Sequence, residues 1–101
     1  MAPPPAPPGL PAPADVAAPV VVYTTRWCGY CHAALALLRD RDIEHVEIDV
    51  SGNHDARRWM REVTRQSTVP QVFVGGRSIG GYTELAALDR SGELDRMLAS
   101  L

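Results

Sequence analysis

The sequence contains no lysine; all ten of its basic residues are arginine. That absence removes Schiff-base chemistry and any lysine-dependent phosphate loop. Cysteine is scarce, with only Cys28 and Cys31 in 101 residues. A bond between them would close a loop so short that it restrains little of the unfolded chain. This argues against a secreted scaffold stapled by disulfides, and the pair reads as chemical rather than structural. No stretch approaches the roughly 18 apolar residues that a membrane helix needs. The net charge of −2 leaves no electrostatic footprint for nucleic acid or an anionic membrane. At this length a single domain is expected, and a large two-domain enzyme is ruled out.

Proline is present but unevenly placed. Eight of the nine prolines fall within residues 1–19, a stretch otherwise mostly alanine, with Gly9, Leu10, Asp15 and Val16. The ninth is Pro70. Such a composition has little apolar surface to offset its ordering entropy, so residues 1–19 read as a disordered or polyproline-type tail. The tail lacks the basic region and apolar run of a signal peptide, and the Arg and Ser of a transit peptide. A reducing cytoplasm is the expected location. Residues 20–101 remain to build a core, and removal of 1–18 is expected to leave activity nearly intact.

Periodicity divides those residues into elements. Val20-Val21-Val22-Tyr23 is short and β-branched, as a buried strand is. From Tyr30, the positions of Ala34, Leu35, Leu37 and Leu38 predict a helix ending near Asp40–Asp42. His45–Val50 alternates as a strand does. Asn53 or Asp55 is positioned to cap a second helix through Ala56, Trp59, Met60 and Val63. Gln71–Val74 and Arg77–Ile79 flank Gly75-Gly76, a hairpin signal. Leu85, Leu88, Leu94, Met97, Leu98 and Leu101 supply one or two final helices. The order β-α-β-α-β-β-α predicts an α/β fold with a four-stranded mixed sheet flanked by helices. Its first two strands are parallel and its last two antiparallel.

Cys28-Gly29-Tyr30-Cys31 lies where the first strand gives way to the first helix. A helix N-terminus favours an anion, and a thiolate placed there has a lowered pKa and is the reactive form. Cys28 is therefore the candidate nucleophile. Cys31, one turn on and more buried, is the candidate resolving thiol. A structural zinc site needs about four ligands, and His32, His45 and His54 are too scattered to complete one. Cys-Gly-Tyr-Cys-His32 also fits haem c attachment, but the strand–turn–helix setting argues against it.

Three separated motifs together resemble the glutaredoxins, a family with the thioredoxin-like fold. They are Tyr23-Thr24-Thr25-Arg26-Trp27-Cys28-Gly29-Tyr30-Cys31, then Thr68-Val69-Pro70, then Ile79-Gly80-Gly81-Tyr82-Thr83-Glu84-Leu85. Ala87–Leu94 is similar to the family's C-terminal helices. The resemblance covers about residues 20–101, which it implies form a glutaredoxin domain. It implies a glutathione-dependent thiol–disulfide oxidoreductase with Cys28 and Cys31 catalytic. Its partners would be glutathione and glutathionylated or disulfide-containing proteins.

The same resemblance implies a cis Pro70 facing the cysteines, with Thr68, Val69 and Pro70 presenting backbone to the glutathione peptide like an added strand. Gly81 and the amides starting the helix at Tyr82, Thr83 and Glu84 would hold the γ-glutamyl carboxylate. Thr83 departs from the acidic residue usual there. Glu84 would either keep the pairing with the γ-glutamyl ammonium or cap the helix. Many members have Lys where Thr25 stands; here Arg26 would neutralise the glycine carboxylate instead. Tyr30 would pack beside the tripeptide.

Arg57, Arg61 and Arg65 share one helical face, read as solvated. Trp27 is either an exposed partner contact or packing, and the sequence does not choose. No resident metal is expected in this reading, and the chain is expected to be a monomer. Two alternatives stay open. One is a carrier in which Cys28 of each of two chains, with glutathione, bridges a [2Fe–2S] cluster, which Gly29 would permit. The other is a mycoredoxin-like enzyme using a different low-molecular-weight thiol.

Overall fold

The computed structural model describes residues 4–101; the first three residues of the expected tail lie outside that range. Strand β1, Val20–Thr24, is buried along its whole length. It pairs in parallel with β2, His45–Asp49, and antiparallel with β3, Gln71–Val74. β3 pairs antiparallel with β4, Arg77–Gly80, giving the sheet order β2-β1-β3-β4. The mixed four-stranded α/β sheet and thioredoxin-like architecture agree with the sequence reading. The β3–β4 turn needs positive φ at both central positions, and Gly75 and Gly76 supply it at 58° and 80°.

Alternation along β1 and β3 sorts the core into two layers. Val20, Val22, Val72 and Val74 face one side, against α1 (Gly29–Asp40), α3 (Tyr82–Ser91) and α4 (Glu93–Ala99). Ala34, Leu35, Leu38, Leu85 and Leu94 are the buried helical contributions there. Val21, Tyr23 and Phe73 face the other side, against Ala56, Trp59 and Met60 of α2, His54–Thr64. The helix after β1 therefore covers one face and the helix after β2 the other; only the β1-α1-β2 unit is a parallel crossover. Two helices, not one, end the chain, because Gly92 at φ 80° breaks the pattern between them. No helix among the described residues is long and apolar enough to cross a membrane.

One expectation is corrected. Residues 4–19 do not stand away from the domain as a disordered tail. Pro13–Asp15 forms a short 3-10 helix, and Leu10 is only 8 % exposed within the α2-side core. Ala6, Ala12 and Val16 pack beside it. Composition alone misjudged the segment, because the apolar surface that orders it belongs to Tyr23, Trp59 and Phe73, on three separate elements.

Asn53 caps α2, accepting the Ala56 amide at 3.0 Å. That helix ends at Arg65, held at φ 62°. A side chain in this left-handed conformation is disfavoured, and glycine is not. We therefore expect Arg65→Gly to raise stability by about 0.5–1 kcal/mol, read as a higher urea midpoint with an unchanged slope.

Candidate functional site

The chain leaves β1 at Thr24 and reaches the first turn of α1 within five residues. Cys28 occupies the N-cap position of that helix, with extended backbone (φ −131°, ψ 106°). Its Sγ accepts the Cys31 amide at 3.1 Å. An N-cap acceptor normally is a side-chain oxygen; here sulfur takes that place, in line with unpaired amides and the positive end of the helix dipole. Cys31 is 2 % exposed whereas Cys28 is half-buried. The two sulfurs are joined as a disulfide, with Cα atoms 5.2 Å apart. The division between an accessible and a sheltered thiol follows the sequence reading.

The loop before Cys28 is pinned from the end of β2. Arg26 N–H donates to Ser51 Oγ at 2.8 Å, and Asp49 Oδ1 accepts the Ser51 amide at 2.8 Å. The Ser51 side chain and amide, and more weakly the Arg26 guanidinium, hold the Asp49 carboxyl below its ordinary range against a small opposing effect of desolvation.

Facing the cysteines is the Val69–Pro70 peptide, which is cis. The Val69 carbonyl lies 3.7 Å from Cys28 Sγ. Beside it runs a groove lined by Tyr30, Thr68, Val69, Pro70, Gly81, Tyr82, Thr83 and Glu84. Eight of the nine residues singled out as ligand contacts are thus brought together. The ninth, Arg26, is not among them. It lies in a separate depression with Thr25, Trp27, Ser51, Gly52 and Arg57. Trp27 is 94 % exposed, which settles the open choice against packing.

Three features refine the groove. Tyr30 and Tyr82 stack, with centroids 6.1 Å apart and planes 29° from parallel, forming an aromatic wall next to Cys28. Gly81 lets α3 begin close to the Pro70 carbonyl, which a Cβ at that position would meet at 3.2 Å. Glu84 turns back to accept the Gly81 amide at 2.7 Å, so of its two sequence readings this structure contains the helix cap. Since the helical ladder starts with Leu85 donating to Gly81, the amides of Tyr82, Thr83 and Glu84 have no intrahelical acceptor.

Sequence reasoning missed two glutamines. Gln66 also lines the groove. Gln71 is fully buried, and its Nε2 donates to Gln66 Oε1 at 3.0 Å and to the Thr68 carbonyl at 2.9 Å. It thereby ties the loop before Pro70 to the sheet. A polar side chain in the otherwise apolar strand Gln71–Val74 was the available signal.

Comparisons with known proteins converge on one family. A family profile described as glutaredoxin matches residues 20–79. A glutaredoxin of Pseudomonas aeruginosa is 39 % identical over 82 residues, covering 81 % of this chain and 98 % of the relative. Glutaredoxin 3 of Escherichia coli is 41 % identical over 79 residues, covering 78 % and 95 %. Among solved structures, a buckwheat glutaredoxin–glutathione complex superposes with a TM-score of 0.76 at 31 % identity, covering 82 % of this chain and 78 % of the other.

Two outcomes follow from the hydrogen bonds around the site. Glu84→Ala should cost about 0.3–1.5 kcal/mol through loss of the cap, whereas Glu84→Gln should retain most of it, measured by urea denaturation. Asp49 is lower in the folded chain than its ordinary value of about 3.9. Its contribution is therefore present above that value and lost as pH falls through the folded value. The melting-temperature gap between wild type and Asp49→Asn should be largest near neutral pH and should close as pH falls below the ordinary carboxylate range.

Proposed function

The chain belongs to the glutaredoxin family and is a thiol–disulfide oxidoreductase, and from that premise we propose that it uses glutathione to reduce protein–glutathione mixed disulfides. The observation that carries this reading is the position of Cys28. Its sulfur caps α1 and lies beside the Val69 carbonyl, at the edge of a groove with backbone and aromatic walls. Such a groove suits a short peptide whose own sulfur must meet Cys28.

Each part of glutathione has a complementary feature. Its cysteinyl backbone would pair with Val69 as an added strand. Its γ-glutamyl carboxylate would take the unpartnered amides of Tyr82 and Thr83 at the start of α3. The Thr83 hydroxyl would accept from the ammonium. The stacked pair Tyr30 and Tyr82 would cover the peptide. The glycine carboxylate would extend toward the guanidinium of Arg26, with Arg57 in the same depression adding charge of the same sign.

In the first step the Cys28 thiolate attacks the glutathione sulfur of the mixed disulfide. The Cys28–glutathione bond forms, the target's sulfur leaves as a thiolate, and that thiolate takes a proton from water. Attack at this sulfur, rather than the target's, is what a glutathione-selective groove supplies. In the second step a glutathione thiolate attacks the glutathione sulfur on Cys28, releasing glutathione disulfide and the Cys28 thiolate. Alternatively Cys31, once deprotonated, attacks Cys28 Sγ and releases glutathione, leaving a Cys28–Cys31 disulfide for two further glutathiones to reduce. The helix end stabilises Cys28 as leaving group in the reductive step, just as it stabilises the attacking thiolate in the first.

Cys28→Ser should abolish deglutathionylation of a glutathionylated peptide, while Cys31→Ser should keep much of it. Equal loss in both would refute this division of labour. The assay should be run with glutathione and with mycothiol as reductant in parallel. Preference for mycothiol would reject the glutathione assignment while leaving the oxidoreductase class intact.

A further inference from the structure

The face of the sheet covered by α2 carries an aromatic cluster away from the cysteines. Tyr23 meets Trp59 and Phe73 edge to face, at centroid distances of 5.7 and 5.6 Å. Two polar groups on these rings donate to main-chain carbonyls of the N-terminal segment. Trp59 Nε1–H bonds Pro4 at 3.0 Å, and Tyr23 Oη–H bonds Pro11 at 2.7 Å. Between these two fixed points Leu10 inserts into the cluster. Ala12 has φ −80° and ψ 161°, close to polyproline geometry.

An aromatic surface whose ring N–H and O–H groups bond proline carbonyls, with one aliphatic anchor between them, is a recurrent means of holding proline-rich peptides. Such peptides lose little entropy on binding, because much of their backbone is already extended. We propose that this face is a groove for a proline-rich peptide with a leucine anchor, filled in cis by residues Pro4–Val16 and open to the same segment supplied in trans.

Two further observations favour a distinct binding element over a general extension of the core. The family profile begins only at Val20, and the aligned part of the Pseudomonas relative accounts for 98 % of its length. The segment thus precedes the part of the chain that the family profile matches. The Tyr23 phenol is also pushed far above its ordinary value, first by burial and second by the Asp15 carboxylate of the segment itself. The segment's own carboxylate thus stands close enough to Tyr23 to act on its phenol.

The test uses the full chain and a labelled synthetic peptide of residues 4–18. In the wild type the tethered segment competes at high effective concentration and should exclude the peptide. In Leu10→Asp the tethered segment should be released. Peptide binding, followed by fluorescence anisotropy, should then be at least about tenfold tighter than to the wild type. The Trp59 indole N–H resonance should shift in the variant and return when peptide is added, while that of Trp27 stays fixed. Disulfide-reductase activity equal to wild type reports that the variant is folded, and Leu10→Ala serves as the milder substitute if it is not. Trp59→Phe in the same background keeps a ring but loses the donor, and should weaken the peptide at least about threefold. Equal binding by wild type and the Leu10 variants, no binding by either, or indifference to Trp59→Phe would each overturn the proposal.

Discussion

Strand β1 hydrogen-bonds on both sides, in parallel to β2 and antiparallel to β3. Those two registers decide what can meet at its end. The parallel partner brings Asp49 and Ser51 beside the loop that leaves Thr24. The antiparallel partner begins just after Pro70, so the Val69 carbonyl arrives at the same end. Cys28 lies between them because only a short turn separates the strand from α1. The residues that do chemistry are peripheral, but they are registered by a fully buried strand whose pairing resists sliding: a one-residue slip would move Val20 and Val22 to the face of Tyr23.

The electrostatics of the site come from backbone rather than from ionised side chains. Sulfur replaces the usual oxygen of a helix cap, so the amide of Cys31 and the helix dipole act directly on Cys28. The start of α3 offers a second set of amides. There Glu84 satisfies Gly81, and the next three amides, on residues that line the groove, have no intrahelical acceptor. Two helix N-termini thus converge from separate elements on one shallow depression, and both favour negative charge. Arginine stays to one side, in the depression that also holds the exposed Trp27.

Much of this was legible in the sequence, for reasons that differ by residue. Val20–Tyr23 read as a buried strand because nothing polar interrupts it, and the two glycines after Val74 announced the hairpin. Cys28 and Cys31 were legible because a strand-to-helix boundary is a local signal. The groove was legible chiefly through the joint resemblance of three motifs, since no single one of them places Pro70 against Gly81. What escaped depended on contacts distant in sequence or on a choice among equal options. Glu84 had two reasonable partners, and its hydrogen bond to the Gly81 amide depends on how the chain turns into α3. Gln71 looked like an ordinary strand residue until its amide was seen to reach back to Gln66 and Thr68. The proline-rich segment was misread because its ordering surface is assembled from β1, α2 and β3.

The contact between Trp59 and Pro4 spans 55 residues of chain. During synthesis the proline-rich segment emerges before β1 and α2, and neither ring that holds it is in place until those elements have been made and packed. A segment made ahead of its partners is therefore among the last to find its seat. In the interval it is an extended, solvated strand that other surfaces can grip, and its stiffness limits unproductive collapse onto the β-branched stretch that follows it.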